Sequence, residues 1–343
     1  MKLSICIPTY NRCYYLINAL EETISQAEGD GILNLIEFCI SDNCSTDNTK
    51  EELLKLKIRC NNATIKLNFN SENVGPDRNF IIAMNMASGE YSILKGDDDY
   101  FKRGSLKYLL SLFEKYPDIG IFLSDVDMID TNRNYIGTVQ YLREKYDSLI
   151  VDFSSETEVR SYFSLCNSIH ALCSFISGVV YKSEIIAVEF DECFIGTSYA
   201  FEFYFWKYLS SGNKLMYFNH KFMDATVGTV NVWSSGIARN ALDIHAFAFI
   251  ADYFYNKSTL NQDMKNVVNR MYSDYCYIPF NERCAFKNKL LPALEESNHP
   301  LKLSIRRRVS ICYQLLFLLL TLLPKNTKQY LQRFSYVFKR FFK

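Results

Sequence analysis

The residues best equipped for chemistry in this chain are three consecutive carboxylates, Asp97, Asp98 and Asp99, placed directly after the apolar run Tyr91 to Leu94. Side by side they repel one another and are costly to desolvate, so they need either full solvation or a cation. Their position favours a cation. A buried strand over 91–94 would deliver the triplet to its carboxyl end, where open α/β sheets place their ligand crevice. Hard oxygen donors suit Mg²⁺ or Mn²⁺, which keep several waters and share their shell with phosphate oxygens. Taken alone, the triplet also fits a solvated acidic turn. Three further polar stretches follow apolar runs in the same way: Thr9 to Arg12, Asp42 to Thr49 and Asn73 to Asn79.

The elements that must position these residues follow from the apolar pattern. Leu3 to Pro8 lacks polar alternation, as in a parallel strand covered on both faces. After the turn at 9–12, Leu16, Leu20 and Ile24 recur every four residues, predicting a helix. Leu35 to Ser41 reads as a second strand, with Asp42 at its carboxyl end. The next helix begins near Asn48, with Glu51 three residues on in the manner of a capping box. Thr64 to Phe69 is a third strand, and Pro76 suits the first turn of a helix running through Ala87. Tyr91 to Leu94, a helix from Ser105 to Tyr116 and a strand from Ile119 to Ser124 complete an alternating series. The first 125 or so residues therefore read as an α/β, mostly parallel, doubly wound sheet. The loops at 9–12, 42–48 and 95–100 then share one edge.

Beyond residue 130 the pattern is less regular. Asn134 to Leu142, Ser148 to Phe153 and Phe175 to Tyr181 read as strands, and Glu156 to Leu165 and Phe201 to Ser210 as helices. Helical spacing returns from Ile237 to Lys257 and from Asp263 to Tyr277.

Of 343 residues, 48% are hydrophobic and 22% charged, as in an ordinary globular protein, but the formal net charge of zero hides an asymmetry. Residues 301–343 carry five Lys, five Arg and no acid, a charge of +10, against −10 for the rest. Within this end, Arg306 to Arg308 precede a 15-residue apolar stretch, Val309 to Leu323, closed by Pro324. That is short of the ~20 residues a spanning helix needs, while flanking cations favour anionic lipid. Residues 304–343 are expected to lie on the cytoplasmic face of a membrane as an interfacial helix. No nucleic-acid partner is expected. Eleven Cys without a CxxC pair are expected to be reduced thiols of a cytosolic protein, and zinc is not expected. The N-terminus runs straight into a strand without a signal-peptide pattern.

The series IPTYNR, SDNCSTDNT, NVGPDRN and GDDD, in that order across about 100 residues, resembles the family 2 glycosyltransferases of GT-A fold, which use nucleotide-sugar donors. Within them, NVGPDRNF together with FIGTSY looks most like the abequosyltransferase-type enzymes of bacterial O-antigen assembly. The resemblance implies a GT-A domain over 1–215, with a nucleotide-sugar half (1–125) and an acceptor half (126–215). It leaves a helical extension (216–300) and the basic tail (301–343). It implies a metal-dependent transfer of one sugar, such as a deoxy- or dideoxyhexose, to a lipid-linked oligosaccharide.

Carried over position by position, Pro8, Tyr10 and Asn11 would wall the nucleotide site, Arg12 would join them, and Asp42 would read a base N–H. Asn73, Arg78 and Asn79 would line the same crevice, with Arg78 on the diphosphate. The acidic motif departs from the family wording of an Asp, a spacer and two more Asp. Aligning on its final pair leaves Gly96 in the first position, with Asp98 and Asp99 as metal ligands and Asp97 and Asp98 as donor contacts. The family's acidic pair before the last helix of this region is replaced by Ala200 and Phe201. Glu202 and Asp191 are then the nearest candidates for a general base. Asp125 and Asp127 could contact an acceptor, and His170 fits a satisfied loop histidine. A nucleotidyltransferase, which would want a glycine-rich phosphate loop after the first strand, and a catalytically impaired sugar-nucleotide scaffold are the competing readings.

Overall fold

The computed structural model describes residues 1–229 and 237–272. The expectations for 273–300 and for the basic tail at 304–343 lie outside the described residues. The alternating opening forms as β1 (Leu3–Thr9), α1 (Cys13–Gly29), β2 (Ile36–Asp42), α2 (Thr49–Arg59), β3 (Thr64–Phe69), α3 (Pro76–Asn85) and β4 (Tyr91–Leu94). There follow β5 (Tyr100–Phe101), α4 (Ser105–Lys115), β6 (Ile121–Leu123), β7 (Val126–Ile129), β8 (Tyr135–Val139), β9 (Ser148–Asp152) and α5 (Glu156–Leu165). The remainder is β10 (Val179–Lys182), α6 (Glu202–Ser210), β11 (Lys214–Phe218), β12 (Met223–Thr226), α7 (Ile237–Tyr255) and α8 (Leu260–Tyr272).

Eight strands make the main sheet in the order β3-β2-β1-β4-β10-β6-β11-β9. The first four are mutually parallel. Leu3, Ile5 and Ile7 of β1 face a core shared with Leu16 and Leu20 of α1, while Cys6 faces the opposite core, shared with Phe80 and Met84 of α3. Each buried aliphatic side chain contributes about 1.5–3 kcal/mol. A strand covered on both faces gains this along its whole length, which is why the short runs read so clearly.

Past β4 the sheet departs from simple alternation. β6 does not pair with β4; β10 lies between them, antiparallel to both. The apolar run Phe175 to Tyr181 is only partly strand: Ile176–Gly178 form a 3-10 turn before β10 begins. A second sheet of four strands, β5-β12-β7-β8, stands beside the acidic turn. The predicted capping box is not formed, because Asn48 makes no side-chain cap bond. Asp47 does that work, accepting from the Thr49 backbone N–H at 3.1 Å and from the Cys13 N–H at 3.1 Å, so one carboxylate serves two helix starts. The eight cysteines among the described residues are free, Cys6, Cys39, Cys166 and Cys173 being buried.

Candidate active site

Parallel pairing fixes the geometry. Thr9 stands opposite Asp42 at the carboxyl ends of β1 and β2, and Cys6 opposite Leu94 at the end of β4. The residues following those strands therefore emerge on one edge, as a doubly wound sheet requires. Thr9 donates its hydroxyl to Asp97 Oδ2 at 2.8 Å. Arg12 Nε donates to Asp97 Oδ1 at 2.7 Å, and the same guanidinium pairs with Asp98. Thr229, beyond β12, donates to Asp98 Oδ2 at 2.8 Å and accepts from Arg12 at 3.2 Å. The Arg12 guanidinium also lies 4.9 Å from the ring centre of Tyr15.

The three carboxylates do not share a fate. Asp99 turns inward, accepting from the Ser177 hydroxyl and from the Thr226 backbone N–H at 2.9 Å. Asp99, expected as a metal ligand beside Asp98, bonds Ser177 and Thr226 in this structure, and the pair facing Arg12 is Asp97 and Asp98. Burial pushes the Asp97 carboxyl up to about 6, helped by Asp98 and opposed by Arg12. Burial and Asp98 push Asp99 up to about 7. Beneath them Lys95 is wholly buried, donating to the Gly96 carbonyl at 2.8 Å. Burial lowers its pKa against the pull of the triplet. Gly96 is needed here, since a Cβ would lie 2.6 Å from Asp99 Oδ2.

Asp42 is buried and accepts from the Ser45 backbone N–H at 3.3 Å and from the Ser45 hydroxyl. Asn11 ties the first two loops together, donating its N–H to Ser45 Oγ at 2.8 Å and accepting from the Thr46 N–H at 2.7 Å. It does so from φ 54°, a left-handed conformation that Asn tolerates better than most residues. Pro8 is buried in β1, and Tyr10, half-buried, follows the strand.

The third motif divides. Asn79 braces the strand ends: it accepts from Ser41 Oγ at 2.7 Å and donates to the Ser41 carbonyl at 3.0 Å. Asn73 accepts from Asn43 at 2.9 Å and fixes the neighbouring turn. Arg78 points outward and pairs with Glu192 at 2.5 Å, with 47% of its side chain exposed, and so stands apart from the acidic pair. Its neighbour Asp77, which the motif reading passed over, accepts from the N–H groups of Gly196 (2.8 Å), Ser198 (3.1 Å) and Ala200 (3.4 Å).

The two base candidates sit in opposite surroundings. Glu202 is 0% exposed; Trp206 Nε1 donates to its Oε2 at 2.7 Å, and Oε1 has no partner among the described residues. Burial raises its pKa well above the usual carboxylate range, with the Trp206 bond opposing. Asp191 is the opposite case: it accepts from the Cys193 N–H at 3.0 Å and from the Tyr253 hydroxyl at 2.6 Å, which hold it down to about 2, too weak a base. Asp125 accepts from the Tyr141 N–H at 2.8 Å, and Asp127 is paired with Lys102 at 2.9 Å and Lys221 at 2.7 Å, so neither awaits an acceptor. His170 bonds Ser174 at 2.7 Å.

The oxygen donors of Asp97 and Asp98 suit a hard divalent cation, and in this structure both are paired with Arg12. No group of three Asp, Glu, His or Cys side chains converges among the described residues. The remaining ligands of an ion held here must therefore come from water or from a bound molecule.

A mostly parallel sheet between two helical layers, with an acidic turn after its fourth strand and a mixed second half, is the GT-A architecture of sugar-transferring enzymes. The chain belongs to glycosyl transferase family 2, whose family model matches residues 4–170. It is 32% identical over 281 residues to the abequosyltransferase RfbV of Salmonella typhimurium (strain LT2), across 78% of this chain and 80% of that protein. It is 32% identical over 109 residues to a GalNAc(5)-diNAcBac-PP-undecaprenol beta-1,3-glucosyltransferase of Campylobacter jejuni, across 32% of this chain and 33% of that one. The crystal structure of S. aureus TarS 1-349 with UDP-GlcNAc shares the fold, with a TM-score of 0.61 at 18% identity over 87% of this chain and 80% of that one. The protein is thus a family 2 glycosyltransferase related to O-antigen and wall-polysaccharide transferases. Membership of that family sets the nucleotidyltransferase reading aside.

Proposed function

We propose that this enzyme moves one sugar from a nucleotide-sugar donor to a lipid-linked oligosaccharide during assembly of a bacterial surface polysaccharide such as O-antigen. The observation that carries this reading is the meeting of Asp42, Thr9, Arg12, Asp97 and Asp98 at one sheet edge in a family 2 chain. The relatives support the finer parts. TarS is seen with UDP-GlcNAc on the same fold, the C. jejuni enzyme acts on an undecaprenol-linked glycan, and RfbV transfers abequose. A deoxy- or dideoxyhexose donor is in keeping with the last of these.

In this reading Asp42 accepts from an N–H of the base, Pro8 and Tyr10 flank it, and Asp97 and Asp98 face the ribose and diphosphate. Asp98, with Asp97 beside it, would hold Mg²⁺ or Mn²⁺, which when bound neutralises charge developing on the departing nucleoside diphosphate. Arg12 supplies a forked donor that matches phosphate oxygens. Among the described residues no helix is long and apolar enough to cross a membrane. Contact with the inner face of the cell membrane is assigned to residues 304–343.

The test is release of nucleoside diphosphate from a panel of nucleotide sugars, with Mg²⁺ or Mn²⁺ and lipid-linked acceptor. One donor should turn over, and Asp98→Asn should lower kcat at least about a hundredfold while keeping part of the nucleotide affinity. A protein that binds no nucleoside diphosphate and releases none from any donor would refute the reading.

A further inference from the structure

Arg12 is the cation paired with both Asp97 and Asp98 in this structure. Its Nε is 2.7 Å from Asp97 Oδ1, a second nitrogen of the same group pairs with Asp98, and the Thr229 hydroxyl bridges Arg12 and Asp98. Both acids are largely withdrawn from water, their side chains 9% and 14% exposed. Two adjacent buried carboxylates are costly to keep charged without a partner, and Arg12 supplies the positive group here. A guanidinium and a metal ion cannot both sit between the same two carboxylates.

We propose that Arg12 is a counter-ion lock: it neutralises Asp97 and Asp98 while no donor is bound and lets go of Asp98 when a nucleoside diphosphate takes over its guanidinium. The divalent ion therefore enters with the nucleotide and not before it. A planar fork of donors fits carboxylate and phosphate alike, so the exchange trades one charge-assisted pairing for another of the same kind. The Tyr15 ring at 4.9 Å gives the guanidinium an apolar face to lie on at this position. The proposal rests on the donor reading above and makes Arg12 a direct contact of the diphosphate.

The experiment is Mn²⁺ titration of the full-length protein followed by electron paramagnetic resonance, with and without nucleoside diphosphate. UDP, GDP, CDP and dTDP are screened first, and the tightest binder is used. Without nucleotide, Arg12→Met should bind Mn²⁺ at least ten times more tightly than the unaltered enzyme, which should reach comparable affinity only when nucleotide is added. Mn²⁺ alone should raise the Tm of Arg12→Met and leave that of the unaltered enzyme in place. Arg12→Lys, which keeps a cation but lacks the fork, should fall between them and serves if Arg12→Met does not fold. Equal Mn²⁺ affinity of variant and unaltered enzyme without nucleotide overturns the lock while leaving the donor reading intact. Absence of Mn²⁺ binding in every sample, nucleotide present, overturns the lock and the metal part of the donor reading together.

Discussion

Glu202 holds a carboxyl group shut away from water, with one oxygen on Trp206 and the other without a partner among the described residues. Burial raises its folded-state pKa above the 4.5 of a free side chain, with the Trp206 bond opposing. The stability it permits is full below that unfolded value. It is lost as pH rises above it, because the unfolded chain ionises and the folded one does not. Glu202→Gln, which keeps the acceptor for Trp206, should gain in stability on the unaltered enzyme as pH rises above ~5, and should still transfer sugar. Urea midpoints at pH 5 and pH 7.5, with an activity assay beside them, check both. Loss of transfer by a folded Gln variant would return Glu202 to the role of base. The acidic triplet itself is legible in the sequence, because three carboxylates after a buried run are hard to place anywhere else. Their division of labour is not, since it is decided by Ser177 and Thr226, 78 and 127 residues further along. Arg12 lies 85 residues from Asp97, and no local pattern announces that pairing.

Elements are coupled through carboxylates as well. Asp77, in the first turn of α3, takes three backbone N–H groups from the 196–200 loop that leads into α6. Burial raises its pKa and those three bonds lower it. Asp77→Ala leaves the donors unmatched and should cost about 2–4 kcal/mol in urea unfolding, with Asp77→Asn recovering part of it. A loss below 1 kcal/mol would show that the loop finds other partners. At the opposite edge of the sheet Glu37 of β2 accepts from Ser4, Ser88 and Lys66. Burial alone would raise its pKa; the Lys66, Ser4 and Ser88 bonds overcome that and bring it to about 2. Its contribution is present above the unfolded value and is lost as pH falls through the folded one. Glu37→Gln should therefore lower stability at pH 7 by about 2 kcal/mol, allowing for the water around Lys66, and the deficit should vanish between pH 4.5 and 2. The helices were readable from their period, and the parallel strands as short unbroken apolar runs. The sense and place of β10 were not, because a short apolar run fits a central strand in either direction.

At the scale of the whole molecule, charge is divided between an acidic body and a +10 end at residues 301–343. Removing residues 304–343 should abolish sedimentation with anionic liposomes while leaving nucleotide affinity unchanged. Adding salt to the full chain should weaken the sedimentation, as expected for screened charges. A truncated protein that still sediments would move the membrane contact into the body.

The insertion of β10 between β4 and β6 has a consequence for how the protein is made. As the polypeptide leaves the ribosome, β4 is complete at residue 94, yet the strand that covers its open side ends only at residue 182. Until then the emerging chain exposes a bare row of backbone N–H and C=O groups, the kind of edge on which unfinished proteins stick to one another. Fragments ending near residue 125 should therefore be recovered as aggregates, and the first 125 residues are not a module to be transplanted by cutting where their motifs stop.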